Sequence, residues 1–134
     1  MIDLNPDIVC SIIAKAREFH AKEEVVIAEE PDSPSDDWAL QVLADHSDDL
    51  TYQELKTAID ELEPDQQITL VALMWVGRGD FDVEEWEAAL QEASDSWTDY
   101  TAEYLLARPL VADYLEEGLS HFGEDCTGFE MGHL

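Results

Sequence analysis

The stretch ITLVALMWVGRGDFDVEEWEAAL, from Ile68 to Leu90, decides the fold of this chain. Its first part, Leu70 to Val76, is a run of seven apolar residues without alternation, a pattern that fits either a buried strand or a helix that is apolar all round. The flanking residues favour the helix, because Pro64 suits a first helical position and has an acid on each side, near the positive end of the helix dipole. We predict a central helix over 64–76 that is buried on most of its circumference.

Two glycines interrupt the apolar pattern, in the order Gly77, Arg78, Gly79, Asp80. Gly77 has the position of the left-handed residue that ends many helices, so we expect the central helix to end there with Trp75 as its largest core side chain. Arg78 is one of six basic residues. Its guanidinium fork is suited to binding carboxylates of the neighbouring helices, which would be a structural role.

The chain then restarts as an acidic amphipathic segment. Asp82 is a candidate N-cap, and Glu85 three residues later completes a capping box. Phe81 before the cap and Trp86 after the first turn have the spacing of a hydrophobic staple. These signals predict a helix over residues 83 to about 92. The candidate functional or structural turn between the two helices comprises Trp75, Gly77, Arg78, Gly79, Asp80, Asp82 and Trp86.

Proline, capping and periodicity signals predict further helices on both sides of this stretch. They lie over about residues 6–22, 52–62, 100–107 and 110–122, and one more carries Trp38 to Leu43 and ends before Ser47. Val25 to Ile27 is a β-prone run too short to build a sheet. We therefore predict an all-α fold, a single compact irregular bundle of about six short helices around the central apolar helix at about 64–76. The domain spans 1–122, with an acidic Pro/Ser loop at 29–37, and residues 123–134 form a flexible C-terminal tail.

The helix predicted over 52–62 has start signals of its own. Thr51 and Glu54 have the spacing of a capping box, and Leu50 and Leu55 have that of a staple across it. We therefore expect Thr51 to cap the helix and Leu50 to pack against Leu55.

The strongest compositional feature is the charge. Thirty-three acidic residues against six Lys and Arg give a formal net charge of −27 at pH 7 and a pI of about 4.1. Such a surface repels nucleic acid and anionic lipid, whose binding requires clustered basic side chains, and attracts a basic protein. Lys15, Arg17 and Lys22 are half of all the basic residues, and we expect acids elsewhere in the fold to pair with them. Adaptation to high salt is the alternative explanation of the acidity.

Compartment signals point to the cytoplasm. No run approaches the ~20 apolar residues of a membrane span, and the N-terminal sequence MIDLNPD is acidic, whereas a secretory signal begins with basic residues. Cys10 lies on a predicted helix face and Cys126 in the polar tail, so we expect no disulfide but one buried thiol and one incidental thiol.

Few residues form a pattern that catalysis or metal binding requires. Asp80, Asp82 and Glu84 alternate as in a calcium loop, but the glycine and the last glutamate of that loop are missing. The ligand-type side chains of residues 45–49 are typical of a solvated helix end. The sequence also lacks a nucleophile elbow, a phosphate loop, a dinucleotide glycine pattern and a His-Glu-x-x-His motif. We expect no metal, no cofactor and no catalytic residue, and an enzyme centred on the 77–82 turn remains an alternative without a motif to support it.

Several segments together resemble a known family. They are Trp75-Val-Gly-Arg-Gly-Asp-Phe81 with Glu85-Trp86, Thr101-Ala-Glu-Tyr-Leu-Leu, Pro109 to Leu119, and Val9-Cys10 with Lys15 to Phe19. They resemble a family of small acidic bacterial proteins known as the domain of unknown function number 3775, over about residues 5–122. The tryptophan–glycine–arginine–glycine segment is the most specific part. The family has no established activity, so the resemblance implies a bacterial, stand-alone cytosolic protein and adds no catalytic residue.

The leading hypothesis from the sequence is a non-catalytic protein-interaction module whose partner is a basic protein, with no direct contact to nucleic acid or membrane. A sharper alternative is a DNA mimic, whose carboxylates occupy the phosphate sites of a basic nucleic-acid-binding protein. That alternative requires the acids to lie in rows on one face. A homodimer through Trp97, Tyr100 and Tyr104 is a third alternative, although we expect these side chains to lie in the core.

Overall fold

The computed structural model describes residues 4–22, 49–108 and 110–126. Within them the chain forms six α-helices and no strand, which confirms the all-α prediction. The helices are α1 (Pro6–Lys22), α2 (Leu50–Asp60), α3 (Pro64–Arg78), α4 (Trp86–Ser96), α5 (Thr101–Leu106) and α6 (Val111–His121), and a 3-10 turn (Val83–Glu85) precedes α4. The predictions for residues 25–27, 29–37 and 38–43 lie outside the described residues.

Helix α3 is the centre of the bundle, as the apolar run predicts. Every residue from 69 to 76 is buried, and α3 packs most extensively against α6, with α4 and α5 as further neighbours. Helix α1 packs against α6 and α2, and α2 packs against α5. Pro64 is the first residue of α3, and Glu63 and Gln66 form a capping box around its N-terminus. The short polar start and the long apolar run therefore fix both the position and the burial of this helix.

The end of α3 differs from the prediction. Gly77 is helical, and the left-handed residue is Gly79, with a φ of 97°. The helix continues past Gly77 because this glycine lies against the backbone of α6: a Cβ atom added to it would lie 1.7 Å from the carbonyl oxygen of Tyr114. Gly77 therefore allows a close crossing of two helices, and Gly79 ends the helix.

The start of α2 also differs from the prediction. Its N-cap is Asp49, whose side chain accepts a hydrogen bond of 3.0 Å from the backbone N–H of Tyr52. Thr51 instead lies inside the helix and donates its hydroxyl to Glu18 of α1 at 3.4 Å. Leu50 is 73% exposed, so the predicted staple with Leu55 is wrong.

The other helix boundaries lie close to their predicted positions. At α1, the side chain of Asn5 accepts a hydrogen bond of 2.8 Å from the N–H of Asp7. Helix α4 continues to Ser96, which is past its predicted end at about residue 92.

The two cysteines form a disulfide between α1 and the segment after α6, with 5.6 Å between the Cα atoms of Cys10 and Cys126. The expectation of two free thiols is therefore wrong. It rested on placing Cys126 in a polar tail, whereas this side chain is buried and belongs to the core cluster. Residues 127–134 of the predicted tail lie outside the described residues.

Among the helices that the structure describes, none combines the length and the apolar character that crossing a membrane requires.

Candidate functional site

The turn after α3 is held by its own backbone. The N–H of Gly79 donates to the carbonyl oxygens of Trp75 and Val76, both at 3.1 Å, and the N–H of Asp80 donates to that of Trp75 at 3.0 Å. These bonds satisfy carbonyl groups at the helix end that have no partner within the helix. The side chain of Arg78 folds over the same turn, where Nε donates to Oδ2 of Asp80 at 2.7 Å and Nη2 donates to the same oxygen. The Asp80 carboxylate that binds Arg78 therefore lies in the same turn as Arg78.

The aromatic side chains beside the turn pack inward. The ring of Trp75 stacks with that of Phe81, with 5.9 Å between centroids. Trp86 contacts Phe122 edge to face, with 4.9 Å between centroids. Phe81 and Trp86 therefore each have an aromatic partner elsewhere in the bundle, and together they attach the turn to α3 and to the end of α6.

Asp82 begins the next helical segment as predicted. Its backbone N–H donates to Oε1 of Glu85 at 2.9 Å, and the reciprocal bond completes the capping box. The box encloses a 3-10 turn, and the α-helix itself starts at Trp86. The predicted site residues thus share one turn, but their polar groups bind one another. A catalytic or binding role for the turn stays a prediction.

A buried polar cluster lies beneath the turn. Oη of Tyr104 accepts hydrogen bonds from Nε1 of Trp75 at 2.9 Å and from Nη2 of Arg108 at 3.1 Å. The guanidinium of Arg108 lies 4.9 Å from the centroid of the Tyr104 ring, a cation–π distance. Arg108 is 0% exposed. Arg108 was not predicted as a site residue, although it is a lone arginine within the apolar sequence LLARPLV, a context in which a charged side chain can be buried.

The described basic side chains are engaged inside the molecule. Lys15 pairs with an acid of α2, Arg17 with two acids of α6, and Lys56 with its neighbour on α2 and with an acid of α5. The pairs are Lys15–Glu54 (3.6 Å), Arg17–Asp113 (3.0 Å), Arg17–Glu116 (3.1 Å), Lys56–Asp60 (2.6 Å), Lys56–Glu103 (3.5 Å) and Arg78–Asp80. The prediction of acidic partners is confirmed for Lys15 and Arg17, and the side chain of Lys22 lies outside the description.

These pairs change the protonation equilibria of the basic groups. Hydrogen bonds to Glu116 and Asp113 raise the pKa of the Arg17 guanidinium. The hydrogen bond to Asp60 raises the pKa of the Lys56 ammonium. In both cases a carboxylate stabilises the charged form.

The opposite situation holds along α4. Its inner face buries Ala89 and Ala93 against the core, and its outer face is acidic. We call the following exposed carboxylates the acidic face: Asp82, Glu84, Glu85, Glu87, Glu92, Asp95 and Asp99. The sequence contains no Lys, Arg or His from residue 79 to residue 107, and none of these seven carboxylates forms an ion pair with a described basic side chain. The acidic face is therefore a surface of uncompensated negative charge.

Metal-ligand side chains do not converge in the described ranges. Across residues 4–22, 49–108 and 110–126, no three His, Cys, Asp or Glu residues are grouped as a metal ion would require. Most of the polar cluster predicted at 45–49 lies outside these ranges.

The fold and the acidic face define a small acidic all-α protein. Residues 52–123 match the model of DUF3775, a protein of unknown function. The match covers more than half of the chain, and the chain belongs to this family. The matched region runs from α2 to the residue pair after α6, and so includes the turn, the buried cluster and the acidic face, whereas the resemblance noted in α1 lies outside it. The curated proteins and the solved structures contain no match.

Proposed function

We propose that this chain is a non-catalytic protein-interaction module of the bacterial cytoplasm, and that it binds a basic protein through the acidic face. One observation carries the proposal: the described basic side chains pair with acids of this chain, whereas the seven carboxylates of the acidic face form no ion pair with a described basic side chain. Uncompensated charge on one helix steers an oppositely charged partner and sets its orientation.

The geometry of α4 supports this proposal. Small residues at Ala89 and Ala93 place the helix close to α3, and the acids project from the opposite side. A helix that is fixed on one face and acidic on the other presents its charges in a fixed array. A basic partner then loses less conformational freedom on binding than it would on a flexible acidic tail.

The three alternatives have less support. In the described residues, exposed acids also lie on α1, α2 and α6, whereas a DNA mimic requires them in rows on one face. The enzyme alternative needs Arg78 and Asp80 to be available to a substrate, and these two side chains bind each other. Of the three aromatic side chains proposed for a homodimer, Tyr100 remains a candidate contact. Tyr104 is buried, and the Nε1–H group of Trp97 donates to Gln67 at 2.7 Å.

Charge neutralisation on α4 tests the proposal. The variant carries Glu84→Gln, Glu87→Gln, Glu92→Gln and Asp95→Asn, and the immobilised protein captures partners from a native bacterial lysate at low salt. Bound proteins are eluted with a salt gradient and quantified by mass spectrometry. We expect the wild type to retain a basic protein that elutes as the salt screens its charges, and the variant to retain about tenfold less of it, which corresponds to ~1.4 kcal/mol.

The matched control removes the same number of charges elsewhere. It carries Asp7→Asn, Glu61→Gln, Glu117→Gln and Glu124→Gln, positions that lie outside the acidic face. Retention by the control at the wild-type level, together with loss by the α4 variant, assigns binding to the acidic face. Equal loss in both variants, or no basic protein bound to the wild type, overturns the proposal.

A further inference from the structure

The disulfide joins the two ends of the described fold. Cys10 lies in α1, and Cys126 follows α6 at a sequence separation of 116. Disulfides that form in a reducing cytoplasm are typically transient and redox-sensing, because thiol systems there keep structural cysteines reduced. A bond between the only two cysteines of a chain that we place in this compartment therefore needs a role beyond that of a permanent staple.

We propose that the Cys10–Cys126 disulfide is a reversible redox switch, which we call the redox clasp. An external thiolate opens it by attack at Cys126, and cationic or uncharged thiols react in preference to anionic thiols. The proposal rests on the proposed cytoplasmic location, but it goes beyond the binding function and does not depend on the acidic face. It assigns a modification site and a class of reductant to a part of the molecule that the acidic face does not include.

The first argument is access. A cleft of about 510 Å³ opens beside the bond. It is lined by Glu116, Glu117, Ser120, Gly123, Glu124, Asp125 and Cys126. Cys10 is not among these residues, and it is only 2% exposed. Cys126 is also buried, at 7% exposed, but it lines the cleft, so we expect an external thiolate to reach this half of the disulfide first.

The second argument is charge. Four of the seven residues that line the cleft are carboxylates. Arg17 compensates them in part through its pair with Glu116, and Nε2 of His121 lies 3.6 Å from Glu117. The remaining charge is negative. Because the attacking species is a thiolate, a reagent with a second negative charge is repelled, and one with an ammonium group is attracted.

The chemistry is a two-step exchange. The thiolate of the reductant attacks the Cys126 sulfur, forms a mixed disulfide with it and releases Cys10 as a thiolate, which takes a proton from water. A second reductant thiolate attacks the mixed disulfide at the sulfur of the reductant and releases Cys126. The two electrons come from the reductant, which leaves as its own disulfide.

The third argument is that the bundle does not depend on the bond. Gly123, Glu124 and Asp125 are exposed, and the backbone holds this segment through bonds such as the one that Glu124 donates to Leu119 at 2.9 Å. Helix α3 packs against α6 and α4, whereas the disulfide joins α1 to the segment after α6. Reduction should therefore loosen residues 123–126 and leave the six described helices folded.

The first experiment maps the site of attack on the wild-type protein. Oxidised protein is treated briefly with cysteamine, quenched with an alkylating agent and digested for mass spectrometry. We expect the cysteamine adduct on Cys126 and the alkyl group on Cys10. The adduct on Cys10, an equal distribution, or no disulfide in protein purified without reductant overturns the proposal. Far-UV circular dichroism of the fully reduced protein should retain the helical signal, and loss of that signal would identify a structural staple instead.

The second experiment measures the selectivity of the clasp. The rate at which each thiol reduces the protein is measured for cysteamine, a cation, and for 3-mercaptopropionate, an anion. Each rate is divided by the rate at which the same thiol reduces a small uncharged disulfide. At low salt the corrected rates should favour cysteamine by on the order of tenfold, and the preference should fall as salt screens the cleft. The variant Glu117→Gln/Glu124→Gln should lower the preference, whereas the control Glu61→Gln/Glu92→Gln should keep it. Equal corrected rates in the wild type contradict the electrostatic selection.

Discussion

At Gly77 the backbones of α3 and α6 come so close that no side chain fits between them. A Cβ atom there would lie 1.7 Å from the carbonyl oxygen of Tyr114 and 2.8 Å from the nitrogen of Gly118. Glycine in a helix interior costs about 1 kcal/mol relative to alanine, so its presence at this position reflects the helix contact. Both contacting atoms belong to the backbone, which cannot rotate away as a side chain would.

Replacement of the two glycines at the end of α3 should separate these roles. Gly77→Ala should lower the free energy of unfolding by about 3 kcal/mol, because the helices must move apart. Gly79→Ala meets nothing within 4 Å and only strains a left-handed residue, so it should cost about 1 kcal/mol. Urea unfolding followed by circular dichroism measures both values. A larger effect at Gly79 than at Gly77 would contradict this assignment.

Single residues also show what could not be predicted from the sequence. The apolar run predicted the burial of Trp75, because seven adjacent apolar residues leave no polar face. Arg108 and Cys126 were missed, because long-range contacts complete their surroundings: Tyr104, the neighbour of Arg108, bonds to Trp75 on α3, and Cys126 bonds to Cys10 on α1. Local patterns carry no information on such contacts.

At the scale of helices, local signals succeeded where one cap residue stood alone. Asp82 precedes a clear helical pattern and forms the predicted cap. At the start of α2 the predicted cap is Thr51, but the structure has Asp49 in that position. Asp49 caps the helix, and the hydroxyl of Thr51 instead donates a hydrogen bond to Glu18 on α1. A tertiary contact therefore decided between two caps of similar intrinsic quality.

Helix α2 should also set the alkaline limit of stability. The hydrogen bond to Asp60 raises the pKa of Lys56 above its ordinary value of 10.5, and burial raises the pKa of Tyr52 above 10.0. The unfolded chain therefore loses these protons at lower pH than the folded chain. The associated stability is complete below about pH 10 and is lost as the pH rises through the folded-state pKa values.

Two substitutions on α2 test this expectation. Lys56→Arg keeps the positive charge but does not titrate in this range, and Tyr52→Phe removes the phenol. In urea unfolding at a series of pH values above 9.5, the double variant should lose stability less steeply than the wild type. Each single variant should lie between them. A wild-type slope unchanged in the double variant would show that other groups control the alkaline limit.

At the scale of the whole molecule, charge opposes packing. A formal net charge of −27 on 134 residues creates repulsion that the core must overcome. The composition predicted the sign of this field and the pairing of the cations, but not their distribution. That distribution depends on the packing of α1 on α2 and α6, which brings Lys15 to Glu54 and Arg17 to two acids, whereas the acids of α4 have no basic partner among the described residues.

Salt should therefore stabilise the protein in a limited and localised way. Between about 10 mM and 500 mM NaCl the Debye length falls from about 30 Å to about 4 Å. We expect the melting temperature of the oxidised protein to rise by roughly 5 °C, or about 1 kcal/mol, and then to level off. The α4 variant with four neutralised acids should melt higher than the wild type at low salt and gain less from added salt.

Melting temperatures measured over the same range of salt concentrations distinguish two origins of the acidity: binding of a partner and adaptation to high salt. If acids accumulated as an adaptation to high salt, the chain would need molar salt to fold, and neutralising α4 alone would change little because the repulsion would be spread over the surface. If the acidic face is kept for a partner, the protein folds at low salt and the unfavourable charge is concentrated on α4. Thermal unfolding of the wild type, the α4 variant and the scattered four-charge control at each salt concentration distinguishes these cases. A control that gains as much stability as the α4 variant would show that α4 holds no special share of the repulsion.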